Sequence, residues 1–165
     1  MRINIFKTKK NKRTGFTLVE LILVIALMVV IILISVLSLG GRKGKTELDG
    51  ITKQIVGQLR EAQSKSASQV NSTTWGVRID NATSGAFFGT FSSSTYTTTT
   101  KTSYTRLPRN ISYVTSTLPV GAYREIFFTQ ISGAPSTTTI ISLQLTDTPN
   151  VSTTISVGLG GVIGY

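Results

Sequence analysis

An α+β fold is predicted: one long N-terminal helix, its first half apolar enough for a bilayer, packed through its second half on an antiparallel β-sheet or small β-sandwich. Three observations predict it. Residues 21–39 are a charge-free apolar run, apolar side chains recur every three or four positions over residues 48–62, and from Asn71 onward short runs rich in Thr, Ser, Val, Ile and aromatic residues alternate with turn signals. With 165 residues the chain has room for one ordinary domain and an appendage.

The charge pattern marks off the first element. The formal charge is +10, from 17 basic and 7 acidic side chains, and Arg2, Lys7, Lys9, Lys10, Lys12 and Arg13 all precede the first acid. Without residues 1–15 the balance falls to eleven basic against seven acidic side chains, or +4, so much of the basicity belongs to a leader rather than to a nucleic-acid surface. The run LILVIALMVVIILISVLSL that follows is nineteen residues long and interrupted only by Ser35 and Ser38. At about 1.5 Å per residue it matches a hydrocarbon layer of about 30 Å, and it lacks the polar face of a buried soluble helix. A single membrane pass is expected, with the basic stretch cytoplasmic and the C-terminal portion outside.

Residues 40–45, GGRKGK, form a joint at which each glycine costs about 1 kcal/mol of helix relative to Ala, leaving the two helical segments either continuous or hinged. Beyond it Leu48, Ile51, Ile55, Leu59 and Ala62 describe an amphipathic helix. Gly50 and Gly57 weaken that helix, so packing of its apolar face must hold it. Strands are expected at residues 74–79, 86–91, 102–107, 111–115, 125–129, 138–145, 153–157 and 162–165, with no further helix. Turns fit at 80–85, around Pro108, at 119–121, 132–135 and 147–150. The Ser/Thr-dominated stretch 90–105 reads as a solvated hairpin or loop, with O-linked modification as the sharper alternative. The segmentation is therefore a leader at 1–15, an apolar helix at 16–39, an amphipathic continuation at 40–70 and a β domain at 71–165.

The absence of Cys and His removes thiolate and imidazole chemistry, and the seven carboxylates are scattered, so no catalytic arrangement or cofactor site is recognisable and no enzyme is expected. The junction KRTGFTLVEL, residues 12–21, carries the functional signal instead. A secretory signal peptide is cut after its apolar region, whereas here Gly15 stands between the basic and apolar runs. Gly15, Phe16, Thr17, Leu18, Val19 and Glu20 together resemble the prepilin cleavage motif of type IV pilins and type II secretion pseudopilins. The resemblance covers roughly residues 10–39. It implies cleavage between Gly15 and Phe16 by a prepilin peptidase, N-methylation of Phe16, a pilin-like fold and assembly with other pilin or pseudopilin subunits through the retained helix. It places the chain first in the cytoplasmic membrane and then in a pilus or pseudopilus.

A carboxylate at bilayer depth costs on the order of 2.5 to 3.5 kcal/mol, less near the interface, so Glu20 needs a partner. The resemblance implies the amino terminus at Phe16 of a neighbouring subunit, and the plainer alternative is the amine of its own chain one turn back. The order of amphipathic helix, Trp75-containing strand and terminal TTISVGLGGVIGY, with FFTQISGAP at residues 127–135, looks like the GspH/FimT-like branch of minor pilins and pseudopilins. Two features depart from that branch: residues 38–40 read Ser-Leu-Gly where Pro-Asn is common, and the C terminus lacks the glycine-arginine motif with which some FimT-like proteins bind DNA. Arg78, Arg106, Arg109 and Arg124 are the remaining candidates for phosphate contact, with ordinary solvated surface the plainer reading. The competing view of the whole chain is a secreted or membrane-anchored β-domain binding module behind an ordinary signal peptide, with Ser38 and Gly40 as small residues near a cleavage site.

Overall fold

The computed structural model describes residues 15–165, except for the side chains of residues 35–42. The expected leader, up to Arg13 and Thr14, lies outside the described residues. Helix α1 spans Leu18–Ala67, taking in both expected helical segments, and the chain divides into two compact units, Met1–Gly40 and Gly41–Tyr165, at the glycine joint.

In the first unit the described side chains from Leu18 to Ile34 are exposed on every side of the helix. Among the described residues no helix is long and apolar enough to cross a membrane. The expected span at 21–39 continues from Ile34 into residues whose side chains lie outside the description.

In the second unit the helix buries Leu48, Thr52, Ile55, Val56, Leu59, Ala62 and Ser66 and leaves Ile51 half-buried. The stripe expected from the sequence is thus present and wider than expected. Thr52 joins it because its hydroxyl donates to the Leu48 carbonyl at 2.7 Å, which satisfies the one polar group it carries. Lys53 with Asp49 and Lys65 with Glu61 are i,i+4 ion pairs on the exposed side. The helix ends three residues earlier than expected, and a 3-10 turn, Val70–Ser72, follows where no helix was expected. Gln69, Asn71 and Ser72 all take left-handed backbone angles there, reversing the chain into the sheet.

Eight strands follow, one for each expected: β1 Trp75–Asp80, β2 Phe87–Phe91, β3 Thr105–Arg106, β4 Ile111–Tyr113, β5 Tyr123–Phe128, β6 Thr139–Leu145, β7 Ser152–Val157 and β8 Ile163–Gly164. They form two antiparallel four-stranded sheets, β3-β2-β1-β5 and β4-β6-β7-β8, so the chain changes sheet on entering β4, β5 and β6. The largest boundary difference is β3, expected over six residues and formed by two. Thr102 and Ser103 instead both donate backbone N–H groups to the Thr90 carbonyl, at 2.8 and 3.2 Å, which turns the chain away from regular pairing.

The core joins the helix stripe to the inner faces of both sheets: Trp75, Val77, Ile79, Phe88, Ile126 and Phe128 from the first, Tyr113, Ile141, Leu143, Ile155 and Val157 from the second. The alternation along β6, buried at Thr139, Ile141, Leu143 and Leu145, is the two-residue period of a strand with one wet face.

Candidate assembly surfaces

The N-terminal site is built from the first turn of α1. Phe16 is 83% exposed, and a side chain added at Gly15 would meet nothing within 4 Å, so this peptide stands open. Thr17 caps the helix: its hydroxyl accepts the Glu20 N–H at 3.3 Å and its carbonyl accepts the Leu21 N–H at 3.2 Å. Thr17 and Glu20 have the Thr-x-x-Glu spacing of a helix start before an apolar run, and one half of the capping-box pair, the Thr17 hydroxyl to the Glu20 N–H, is formed. Glu20 lies in the first turn, where the helix dipole favours an acid, and none of the ion pairs among the described residues involves it. The apolar side chains that follow are each 41–73% exposed over residues 18–34.

Two sequence motifs of the globular unit meet on one helix residue. The Gln63 amide donates to the carbonyl of Gly133, in FFTQISGAP, and to that of Gly161, in the terminal glycine-rich turn, both at 3.0 Å. Gly161, at φ 78°, lies where a Cβ would run into that amide at 2.5 Å. Higher up, the buried Ser66 hydroxyl accepts the Trp75 N–H at 2.7 Å, fixing the helix against β1, and the indole N–H reaches the Val70 carbonyl at 3.1 Å. Nothing in residue spacing announced Gln63 or Ser66, because each acts across the fold.

The outer face of the first sheet holds a charged clasp. Arg78 donates through Nε and Nη2 to Asp80 Oδ2 at 3.0 and 2.7 Å and through Nη1 to Glu125 Oε1 at 2.6 Å. Its guanidinium lies 3.8 Å from the Tyr123 ring centroid and 4.8 Å from that of Tyr96. Burial pushes the Arg78 pKa down, but the bonds to Asp80 and Glu125 outweigh it and hold the guanidinium above its usual range.

Residues 92–104 cross this face as a strap. Tyr96 meets the buried Phe91 edge-on at 5.7 Å and Tyr104 lies 4.8 Å from Phe87. Gly89 makes the crossing close, since a Cβ there would collide with the Ser103 carbonyl. The solvated loop expected here is therefore anchored by its tyrosines, while Thr97, Thr98 and Thr99 face solvent.

Three of the four arginines considered for phosphate contact have different surroundings. Arg78 is neutralised by two carboxylates. Arg124 stands opposite Ile79, on the other face of the sheet from Arg78. Arg106 donates to the Tyr104 hydroxyl at 3.0 Å and to the Ser84 carbonyl at 3.3 Å.

The sequence is similar to that of type II secretion system protein H of Aeromonas hydrophila, at 33% identity over 73 residues, 44% of this chain and 39% of the relative. The chain thus spans about two fifths of that protein's length. No family model matches the chain, and no solved structure does. This partial similarity, with an α+β fold in which the C-terminal part of a long helix packs on antiparallel sheets, supports a pseudopilin-like relationship.

Proposed function

We propose that this chain is a structural subunit, a pseudopilin or minor pilin, of a type II secretion system or type IV pilus. In this reading a prepilin peptidase cuts between Gly15 and Phe16, Phe16 is N-methylated, and the mature chain is held in the cytoplasmic membrane by residues 16–39 with its β domain outside. It then joins other subunits through that helix. The role is one of assembly, without catalysis or a cofactor.

The observation that carries this reading is the first unit itself. An open Gly15–Phe16 peptide is followed within one turn by a capped helix start with an acid, Glu20, that forms no ion pair among the described residues, and then by apolar side chains exposed on all sides over residues 18–34. Helices of this kind gain by packing on one another, and a carboxylate among them gains most from a fixed positive charge such as a neighbour's amino terminus. The similarity to a type II secretion protein supports the choice of machine.

Substitution Glu20→Gln tests the assembly role. The variant keeps size and helix propensity and is expected to remain processed and membrane-bound while its amount in sheared filaments or pseudopili falls at least tenfold. Incorporation at the level of the unsubstituted chain would remove Glu20 from the assembly mechanism.

A further inference from the structure

Three of the eleven basic side chains between Gly41 and Tyr165, those of Arg42, Lys43 and Lys45, fall within four residues, directly after the apolar run that ends at Leu39. Lys43 and Lys45 are exposed, and none of the ion pairs among the described residues involves either. The acids nearest in sequence are engaged elsewhere: Glu47 accepts the Asn110 amide at 2.6 Å, and Asp49 accepts the Lys53 ammonium at 2.7 Å. Gly44, between the two lysines, packs on the end of β6, where an added Cβ would lie 3.0 Å from Leu145. Successive helical residues are turned by about 100°, so Lys43 and Lys45 stand to either side of this contact. Beside Lys45 is an open hollow of about 360 Å³, lined also by Asp49, Val151, Ser152 and Thr153.

We propose that Lys43, Lys45 and this hollow form a docking surface for the phosphate groups of acidic phospholipids, on the outer leaflet of the membrane that the apolar run crosses. Position selects this partner. At helical rise residues 42–45 come about 4.5 to 9 Å after Leu39, and a headgroup layer extends about 5 to 7.5 Å beyond the hydrocarbon on each side. Charge selects it as well. Basic residues favour the cytoplasmic side, where six precede the first acid, so three at the far end of the same span run against the bias and need an anion there. Acidic lipid supplies that anion, and each Lys near such a surface strengthens attachment by about a factor of five. Ser152 and Thr153 add hydroxyl donors for phosphate oxygens, while Asp49, at the same hollow, is already neutralised by Lys53. The contact draws this end of the second unit onto the membrane while the chain awaits incorporation, and it is given up when the subunit leaves the lipid. It rests on the membrane anchoring proposed above.

Because the chain has no Cys, Asn150→Cys, next to Val151 of the hollow, takes a single fluorophore. The labelled full-length chain is reconstituted into vesicles of phosphatidylcholine alone, or of equal parts phosphatidylcholine and phosphatidylglycerol, each carrying a quencher bound to lipid headgroups. Quenching is expected to be stronger in the mixed vesicles by about fivefold or more, and to be lost in about 1 M salt, where the screening length is about 3 Å. Lys43→Gln together with Lys45→Gln should bring it down to the level of phosphatidylcholine alone, whereas Lys101→Gln, on the strap, should change nothing. Equal quenching in the two vesicles, or quenching kept by the double variant, would overturn the lipid contact and leave the anchor intact. Loss of quenching on adding inorganic phosphate at constant ionic strength would also overturn it, in favour of a free anion. A chain washed from both vesicles by carbonate would overturn the anchor and the contact together.

Discussion

Arg78 shows how much one side chain can carry in a domain with few charges. It holds Asp80 and Glu125 at hydrogen-bond distance while stacked between Tyr96 and Tyr123, and the three charged side chains are only 11–19% exposed. Removing it leaves two carboxylates facing each other in a poorly solvated place. Arg78→Met is expected to lower unfolding stability by about 2 to 4 kcal/mol, and Arg78→Lys, which keeps the charge but loses the two-pronged contact to Asp80, by less. Denaturant titration of both variants checks the order. Equal losses would mean that the fork geometry contributes nothing.

Tyr113 gives a residue-scale pH dependence. Burial pushes its hydroxyl far above the ordinary tyrosine range, with the Asp80 charge adding to the effect, so the folded chain keeps the proton that the unfolded chain releases near pH 10. A pKa raised in the folded state leaves stability intact below pH 10 and removes it above, by up to about 1.4 kcal/mol per pH unit for one proton. Tyr113→Phe should flatten that alkaline loss while costing little near neutrality, because its bond to the Phe87 carbonyl is long at 3.3 Å. Thermal melts between pH 8 and 11 for both chains decide it.

At the scale of elements, the helix of the second unit is held by its buried stripe rather than by its sequence propensity, since Gly50 and Gly57 stand on its open side with no atom within 4 Å of an added Cβ. Ile55→Ala should therefore cost about 2 to 5 kcal/mol, whereas Gly57→Ala should stabilise by up to about 1 kcal/mol. Chemical unfolding of the two variants, with opposite signs expected, checks this.

The eight strands were legible because glycine, proline and Asp/Asn turn signals separate them and because apolar residues alternate within β6. The helix stripe was legible from its spacing. The crossing strap was not, since a run of Ser and Thr carries no period, and the rings that anchor it, Tyr96 and Tyr104, gain meaning only once β1 and β2 place Phe91 and Phe87 beneath them. The Gln63 contacts were hidden for the same reason: the two carbonyls it binds lie 70 and 98 residues away in sequence. The start of α1 is legible in Thr-x-x-Glu at residues 17–20, where the Thr17 hydroxyl accepts the Glu20 N–H.

For the whole molecule, the two compact units divide the work. The first offers an apolar helix with one acid near its start, and the second a two-sheet domain most of whose charges lie on the helix and the first sheet. The proposed assembly requires that the first unit be kept in the mature protein, because a chain that loses it keeps the β domain and loses the surface through which assembly is proposed. Intact-mass measurement with N-terminal sequencing of the protein recovered from its own cell tests this most directly. A chain beginning at N-methylated Phe16 with the apolar helix retained is expected, and a chain beginning at Gly41, or one still carrying residues 1–15, would contradict the proposed assembly role.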